Sequence, residues 1–265
     1  MMIEGLPGNQ NPAESAEIEK FLEEFNQKCV EFGYFCDQYM REEIGIGDIT
    51  RHLSEATADA EMFFAEHSFY MNLDQLQKYG TIQKTIDNMT SQLFETEIKR
   101  NRKMILEALK GGEYFIVGLT YNSIKSSIYM MYSKQKIKTE QDQKLGELER
   151  EQEATQVMIK VLKAIEAVIK IEDLAQIDYH KIQKALEIYV NYFKNAEKVD
   201  TKPACDQRVF KLFDEHVEFL RSMGFGGDPS TASVHFSICC DTLQPLAHSE
   251  NQLAMIAAWR SLIVF

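Results

Sequence analysis

The sequence predicts an all-α protein: a multi-helix bundle of about eight or nine helices, long and antiparallel, with no significant sheet. Three observations predict it. The prolines stand at 7, 12, 203, 229 and 245, leaving none from Ala13 to Lys202, and proline costs about 3 kcal/mol inside a helix. Apolar residues recur at spacings of three and four through that interval. Helix punctuation falls between the periodic stretches, as caps before them and glycine after them.

In the first helix Asn11 can cap, Pro12 takes the first helical position, and Ile18, Phe21, Leu22, Phe25, Cys29, Phe32, Phe35 and Tyr39 form one stripe. "GIG" at 45–47 is read as its end, with Asp48 capping the next helix. That second helix, or broken pair, uses Leu53, Ala56, Ala60, Phe63, Phe64 and Tyr70, then Leu73 and Leu76 before Gly80. A third is expected from Ile82 to Lys110, stopped by Gly111–Gly112. "YFIV" at 114–117 is β-prone. Yet Tyr114, Val117, Tyr121, Ile124, Ile128 and Met131 keep helical spacing, so helix is expected there too. "SKQKIKTEQDQK" at 133–144 reads as a solvated connection.

The stretch from Leu145 to Leu174 is charged in its first half and striped in its second by Ala154, Val157, Met158, Val161, Leu162, Ile165, Val168 and Ile169. A helix from Glu140 to Glu172 would be about 50 Å long at 1.5 Å per residue. Its charged half would project past the packed region or lie along its surface. Glu166 and Lys170 are spaced as an i,i+4 pair. Further helices are expected after Asp178, through Val209–Leu220, after Asp228–Pro229, and after Ser249, whose Gln252 completes a capping box. The division this suggests is a disordered tail over 1–10, a main helical bundle over 11–198, and a C-terminal helical segment over 207–265 packed on it. No segment repeats at the roughly 34-residue period of a tetratricopeptide array.

The net charge of −12 is uneven. Residues 1–79 hold 16 acidic and 5 basic side chains, net −11; residues 80–160 hold 11 and 13, net +2; residues 161–265 hold 14 and 11, net −3. A field of that sign opposes nucleic acid. Cysteines at 29, 36, 205, 239 and 240 are odd in number and irregular in spacing, which suits reduced thiols in a cytoplasmic protein and not a disulfide framework. The first residues lack the pattern of a signal peptide. No window reaches the roughly 18 apolar residues of a spanning helix.

No reaction's residue set is assembled. None of the six histidines follows Glu by three positions, no two histidines are four apart, and C-x-x-C is missing. No metal and no cofactor are therefore expected. His235 and Cys239 share a helix face near Asp241, a pattern that can activate a thiol but more often marks core packing. The cluster "KRNRK" places Lys99, Arg100, Arg102 and Lys103 within one and a half turns, so some must meet solvent. Their simplest use is to pair with the acidic amino-terminal region, within one molecule or between two. The last residues bring together Trp259, Leu262, Ile263 and Phe265, an adhesive patch if exposed.

The expectation is a non-enzymatic interaction, scaffolding or adaptor component of an intracellular assembly. Other proteins are its partners, with self-association through the acidic and basic regions, and with Lys99, Arg100, Arg102, Lys103, Trp259, Leu262, Ile263 and Phe265 as contact residues. A membrane-active helical bundle touching lipid peripherally is the first alternative, and an all-α enzyme with a thiol or acidic site is the second.

Overall fold

The computed structural model describes residues 12–133, 138–171, 173, 176–195, 199–224 and 231–262. The described residues form an all-α bundle of nine α-helices with no β-sheet: α1 (Pro12–Met40), α2 (Ile46–His67), α3 (Leu73–Gly111), α4 (Tyr114–Ser133), α5 (Lys138–Ile169), α6 (Tyr179–Asn195), α7 (Lys202–Ser222), α8 (Thr231–Leu243) and α9 (Glu250–Ser261). Short 3-10 turns at Ser68–Tyr70 and Gln244–Leu246 complete it. The chain divides into two compact units, Met1–Lys99 and Arg100–Phe265, so the boundary falls inside α3. The break read from the sequence between 198 and 207 lies inside the second of these units. Polarity marks a surface segment, whereas a unit boundary is set by which helices share a core. The tail over 1–10 lies outside the described residues.

In the first unit, α1 buries Ile18, Leu22, Phe25, Cys29, Phe32 and Tyr39 against Ile49, Leu53, Ala56 and Ala60 of α2 and Tyr79, Ile82 and Ile86 of α3. Stacked rings lock the helices together. Phe21 lies 3.7 Å from Phe63, Phe35 3.5 Å from His52 and Phe64 4.3 Å from Tyr79, centroid to centroid.

Three helix ends in this unit differ from expectation. α1 stops at Met40, before "GIG", because Glu42 takes the left-handed conformation at φ 64°. The N–H of Glu43 then reaches the Gln38 carbonyl at 3.0 Å and that of Glu42 reaches Tyr39 at 2.9 Å, a Schellman closure. Asp48 is not the cap of α2. Gly45 holds that position, and Asp48 sits in the first turn, accepting the Gly45 N–H at 3.4 Å. α3 begins earlier than Ile82. Asn72 Oδ1 accepts from Gln75 N at 2.9 Å while Gln75 Oε1 accepts from Asn72 N at 3.0 Å, a reciprocal capping box. The helix then runs through Gly80, since one glycine costs only about 1 kcal/mol there.

The second unit is built around α5 and α7. α7 is buried on most of its circumference, through Cys205, Val209, Phe210, Leu212, Phe213, Val217 and Leu220. α5 packs on α4, α6 and α7, while α8 packs on α6 and α9. Asp178 and Ser249 cap as expected, accepting from Lys181 N at 3.3 Å and from Gln252 N at 3.2 Å. α5 starts at Lys138, inside the stretch read as a connection, because Lys, Gln and Glu are good helix formers whatever their polarity.

The charged half of α5 does not project as a free arm. Leu148 is buried, Glu149 pairs with Lys125 of α4 at 3.2 Å, and Glu151 accepts from Tyr121 of α4 at 3.3 Å. The wet half of the helix thus lies along α4, whose polar tips meet its charges, and the greasy half faces α6 and α7.

Candidate protein-docking groove

Two polar chains fix α5 within the second unit. The first is a half-buried cluster centred on Glu166. Its Oε1 accepts from Arg208 Nε at 3.1 Å, from Arg208 Nη2 at 2.5 Å and from Tyr114 Oη at 2.9 Å. Burial, then the Glu166 carboxylate, pushes the Tyr114 phenol well above its ordinary range, so it stays a donor. Gly112 is required beside this cluster. It closes α3 at φ +78°, with Glu113 N on the Ala108 carbonyl at 2.8 Å and Gly112 N on Leu109 at 3.3 Å. A Cβ there would stand 2.8 Å from Arg208 Nη2. Glu166 therefore turns inward to α7 and α4 instead of pairing with Lys170, because α5 has neighbours on more than one face.

The second chain runs from Thr201, whose hydroxyl lies 3.0 Å from that of Thr155, to Tyr121 Oη, also 3.0 Å from Thr155, and on to Glu151. Arg102 closes it, 3.1 Å from Glu151 and 3.4 Å from Asp200. Of the basic cluster, Arg102 is thus used within its own unit and not on the acidic amino-terminal region. Lys99 and Lys103 are exposed, and Arg100 is half-buried.

Above these chains α4 and α5 leave a groove of about 340 Å³. Its floor is Val117, Tyr121 and Thr155, all buried. Its centre is Gly118, where a Cβ would meet nothing within 4 Å. On the α4 side Phe115 lines it and is 79% exposed, while Leu119, 54% exposed, stands one turn further on outside the lining. On the α5 side stand exposed Gln156, Lys160 and Lys163, the last with Nζ 5.6 Å from the centre of the Tyr114 ring. Phe115, Leu119 and Met130 share the outward stripe of α4, whose inward stripe is Val117, Tyr121, Ile124 and Ile128. α4 is therefore apolar on both faces over its first half, and only one of them is covered. The strip was legible as an apolar run but not as an uncovered face, since periodicity marks the buried stripe alone.

The other sequence candidates fall elsewhere. Trp259 is 2% exposed, packed near Phe210 and Phe213 with Nε1 donating to Asp214 at 3.3 Å. It anchors α9 to α7 and does not stand at the surface. Leu262 is half-buried, and Ile263 and Phe265 lie outside the described residues. Cys239 is fully buried with its Sγ 3.9 Å from the Tyr179 carbonyl, and burial pushes its thiol up to about 12. Burial of this kind keeps a thiol protonated. The His235 ring centre lies 6.0 Å from that of His180. Burial likewise raises the thiol of Cys205 to about 12 and that of Cys36 to about 11.

A buried carboxylate that the sequence did not single out, Asp206, accepts from Lys202 at 2.7 Å and Tyr189 at 2.9 Å and meets His248 Nε2 at 2.9 Å, fastening the start of α9. A second cleft, about 470 Å³, opens at the carboxyl ends of α5 and α7 between Ile169, Leu212, Phe219 and Met223. Its one buried polar group, His216, is engaged by Tyr179 Oη at 3.0 Å, with its Nδ1 turned to the Ile169 backbone without full hydrogen-bond geometry. Among the described residues no cluster of three or more His, Cys, Asp or Glu is placed to hold a metal, and no helix is long and apolar enough to cross a membrane.

Fold and groove define a class: an all-α helical-bundle protein with an apolar, lysine-edged furrow between two antiparallel neighbours. No protein-family model, curated protein or solved structure matches the chain.

Proposed function

We propose that the protein works by holding other proteins, as a non-enzymatic interaction or scaffolding component of an intracellular assembly, and that a partner docks in the α4–α5 groove. One observation carries this reading. Phe115 is exposed at the edge of the groove beside open space over Gly118, and Leu119 is exposed one turn further along the same helix. Exposed aromatic and aliphatic anchors next to a preformed hollow are what a helix-in-groove contact uses. The half-buried polar chains beneath hold the two walls in one register, which spares a partner part of the ordering cost of binding. Buried thiols held in the protonated form support a non-thiol role.

The test is the pair Phe115→Glu and Leu119→Glu in a tagged chain, cross-linked in cells. Proteins that co-purify with the unmutated chain should be lost, while circular dichroism stays helical. Equal recovery of the same proteins by both chains would discard the groove as a docking site. Flotation of the unmutated chain with vesicles, abolished by the same two substitutions, would instead transfer the groove to a membrane-surface role.

A further inference from the structure

The groove has an apolar wall and a basic rim, so its occupant should carry apolar anchors one turn apart flanked by carboxylates. We infer that this occupant is α1 of a second copy of the chain. This rests on the reading of the groove as a docking site.

The outer face of α1 fits that description. Val30 and Tyr34, four residues apart, are each 61% exposed. Glu23, Glu31 and Asp37 stand exposed on the turns around them. Of the bases along α1, Lys28 is held by Asp59 of α2 at 2.7 Å and Lys20 by Glu24 at 3.6 Å, while Arg41 follows Asp37 by one turn at the helix end. The opposite face of α1 is occupied, since Phe25, Cys29 and Phe32 fill the core of the first unit. α1 is therefore a supported helix that presents a ready-made acidic and apolar surface, without a folding cost on binding.

The groove offers the matching charges. Lys160 and Lys163 make no ion pair within the described residues, although other bases of the unit, Lys125, Lys144 and Arg208, do. Two lysines outside any ion pair, beside exposed Phe115, meet the carboxylates of Glu31 and Asp37 beside exposed Val30 and Tyr34. Both surfaces repeat the same spacing, four residues between anchors, so one helix can lie along the other. Rim charges of this kind steer encounter and set register, while the apolar pairs hold the complex.

The two surfaces differ, so the contact is heterologous: each copy donates an α1 and offers a groove. Association then continues into a ring or an open chain instead of stopping at a symmetric pair.

Light scattering after size exclusion, run across protein concentration and salt, gives the reading. The full-length chain should gain mass with concentration and lose it at high salt. Two charge-reversed chains separate this contact from any other. Lys160→Glu with Lys163→Glu spoils the groove, and Glu31→Lys with Asp37→Lys spoils α1. Each alone should run as a monomer. Mixed, they should regain mass in alternating one-to-one stoichiometry, because the reversed groove accepts the reversed α1 and the unaltered groove accepts the unaltered α1. Gly118→Leu fills the hollow where nothing crowds it, and should abolish association without lowering the melting temperature.

A full-length chain that stays monomeric at every concentration overturns the inference. So does an associating chain whose charge-reversed forms associate equally, or whose mixture stays monomeric. A monomeric chain whose cross-linked proteins still depend on Phe115 and Leu119 would overturn this inference alone and leave the docking groove standing.

Discussion

The carboxyl ends of α1 and α3 are built with the same hydrogen bonds and different residues. In both, a left-handed residue after the helix lets two N–H groups turn back onto the last turn, Glu43 to Gln38 and Glu42 to Tyr39 in one, Glu113 to Ala108 and Gly112 to Leu109 in the other. The left-handed position is Gly112 at φ +78° in α3 and Glu42 at φ 64° in α1. A side chain in that conformation costs roughly 1–2 kcal/mol. The first unit bears that cost at an open turn. The second cannot, because the space a Cβ would fill belongs to the guanidinium of Arg208. Backbone closure is the same event in both places; what differs is whether a buried charge presses on it.

Removing that charge is the strongest way to break the comparison. Arg208→Ala leaves the Glu166 carboxylate half-buried with only Tyr114 as donor, and should cost about 3–5 kcal/mol in urea unfolding. Replacing both partners with apolar residues, Arg208→Met with Glu166→Leu, should cost far less, because no lone charge remains. An equal loss in both would mean that the pair acts only by packing.

The second unit also carries a pH dependence. Burial lowers His216 to about 4 from 6.5. Between those values the unfolded chain takes up a proton and the folded one does not. Stability contributed by neutral His216 is full above pH 6.5 and falls as pH drops towards 4, by about 3 kcal/mol in all at 1.36 kcal/mol per unit. Unfolding curves of His216→Gln should lose that slope. A slope that survives belongs to other groups.

Gly112→Ala comes next. Strain alone predicts a loss of about 1–2 kcal/mol, and displacement of Arg208 from Glu166 should add to it. A measured loss no larger than the strain would show that the guanidinium moves aside freely. The smallest effect is the reverse exchange. Glu42→Gly should raise stability by roughly 0.5–1 kcal/mol, the strain relieved less the extra freedom of glycine in the unfolded chain. Together the last two substitutions measure one turn with and without a side chain behind it.

Much of the fold was readable from residues along the chain. The proline gap from Ala13 to Lys202 and the stripes of α1, α5 and α6 require helix. Ser249 and Asp178 mark helix starts because a cap needs only the four residues that follow it. The end of α1 was not readable, since nothing in "MREEIG" advertises that Glu42 will turn left-handed. The candidate site was half legible. The apolar run at 114–119 is plain, but its uncovered face is not. Glu166 reads as one more surface charge in an i,i+4 pair, and Arg208 as a polar position on a helix forty-two residues away.

The sequence by itself therefore determined the helical class, most helix starts and the charge difference between the amino-terminal third and the middle of the chain. These depend on backbone propensities and local hydrogen bonds, which act over a turn or two. Only the tertiary structure decided which face of α4 is covered, that the wet half of α5 lies along α4, and that Glu166 meets Arg208. Those outcomes depend on which helices compete for the same buried surface, and a carboxylate turns inward only when another helix brings it a donor.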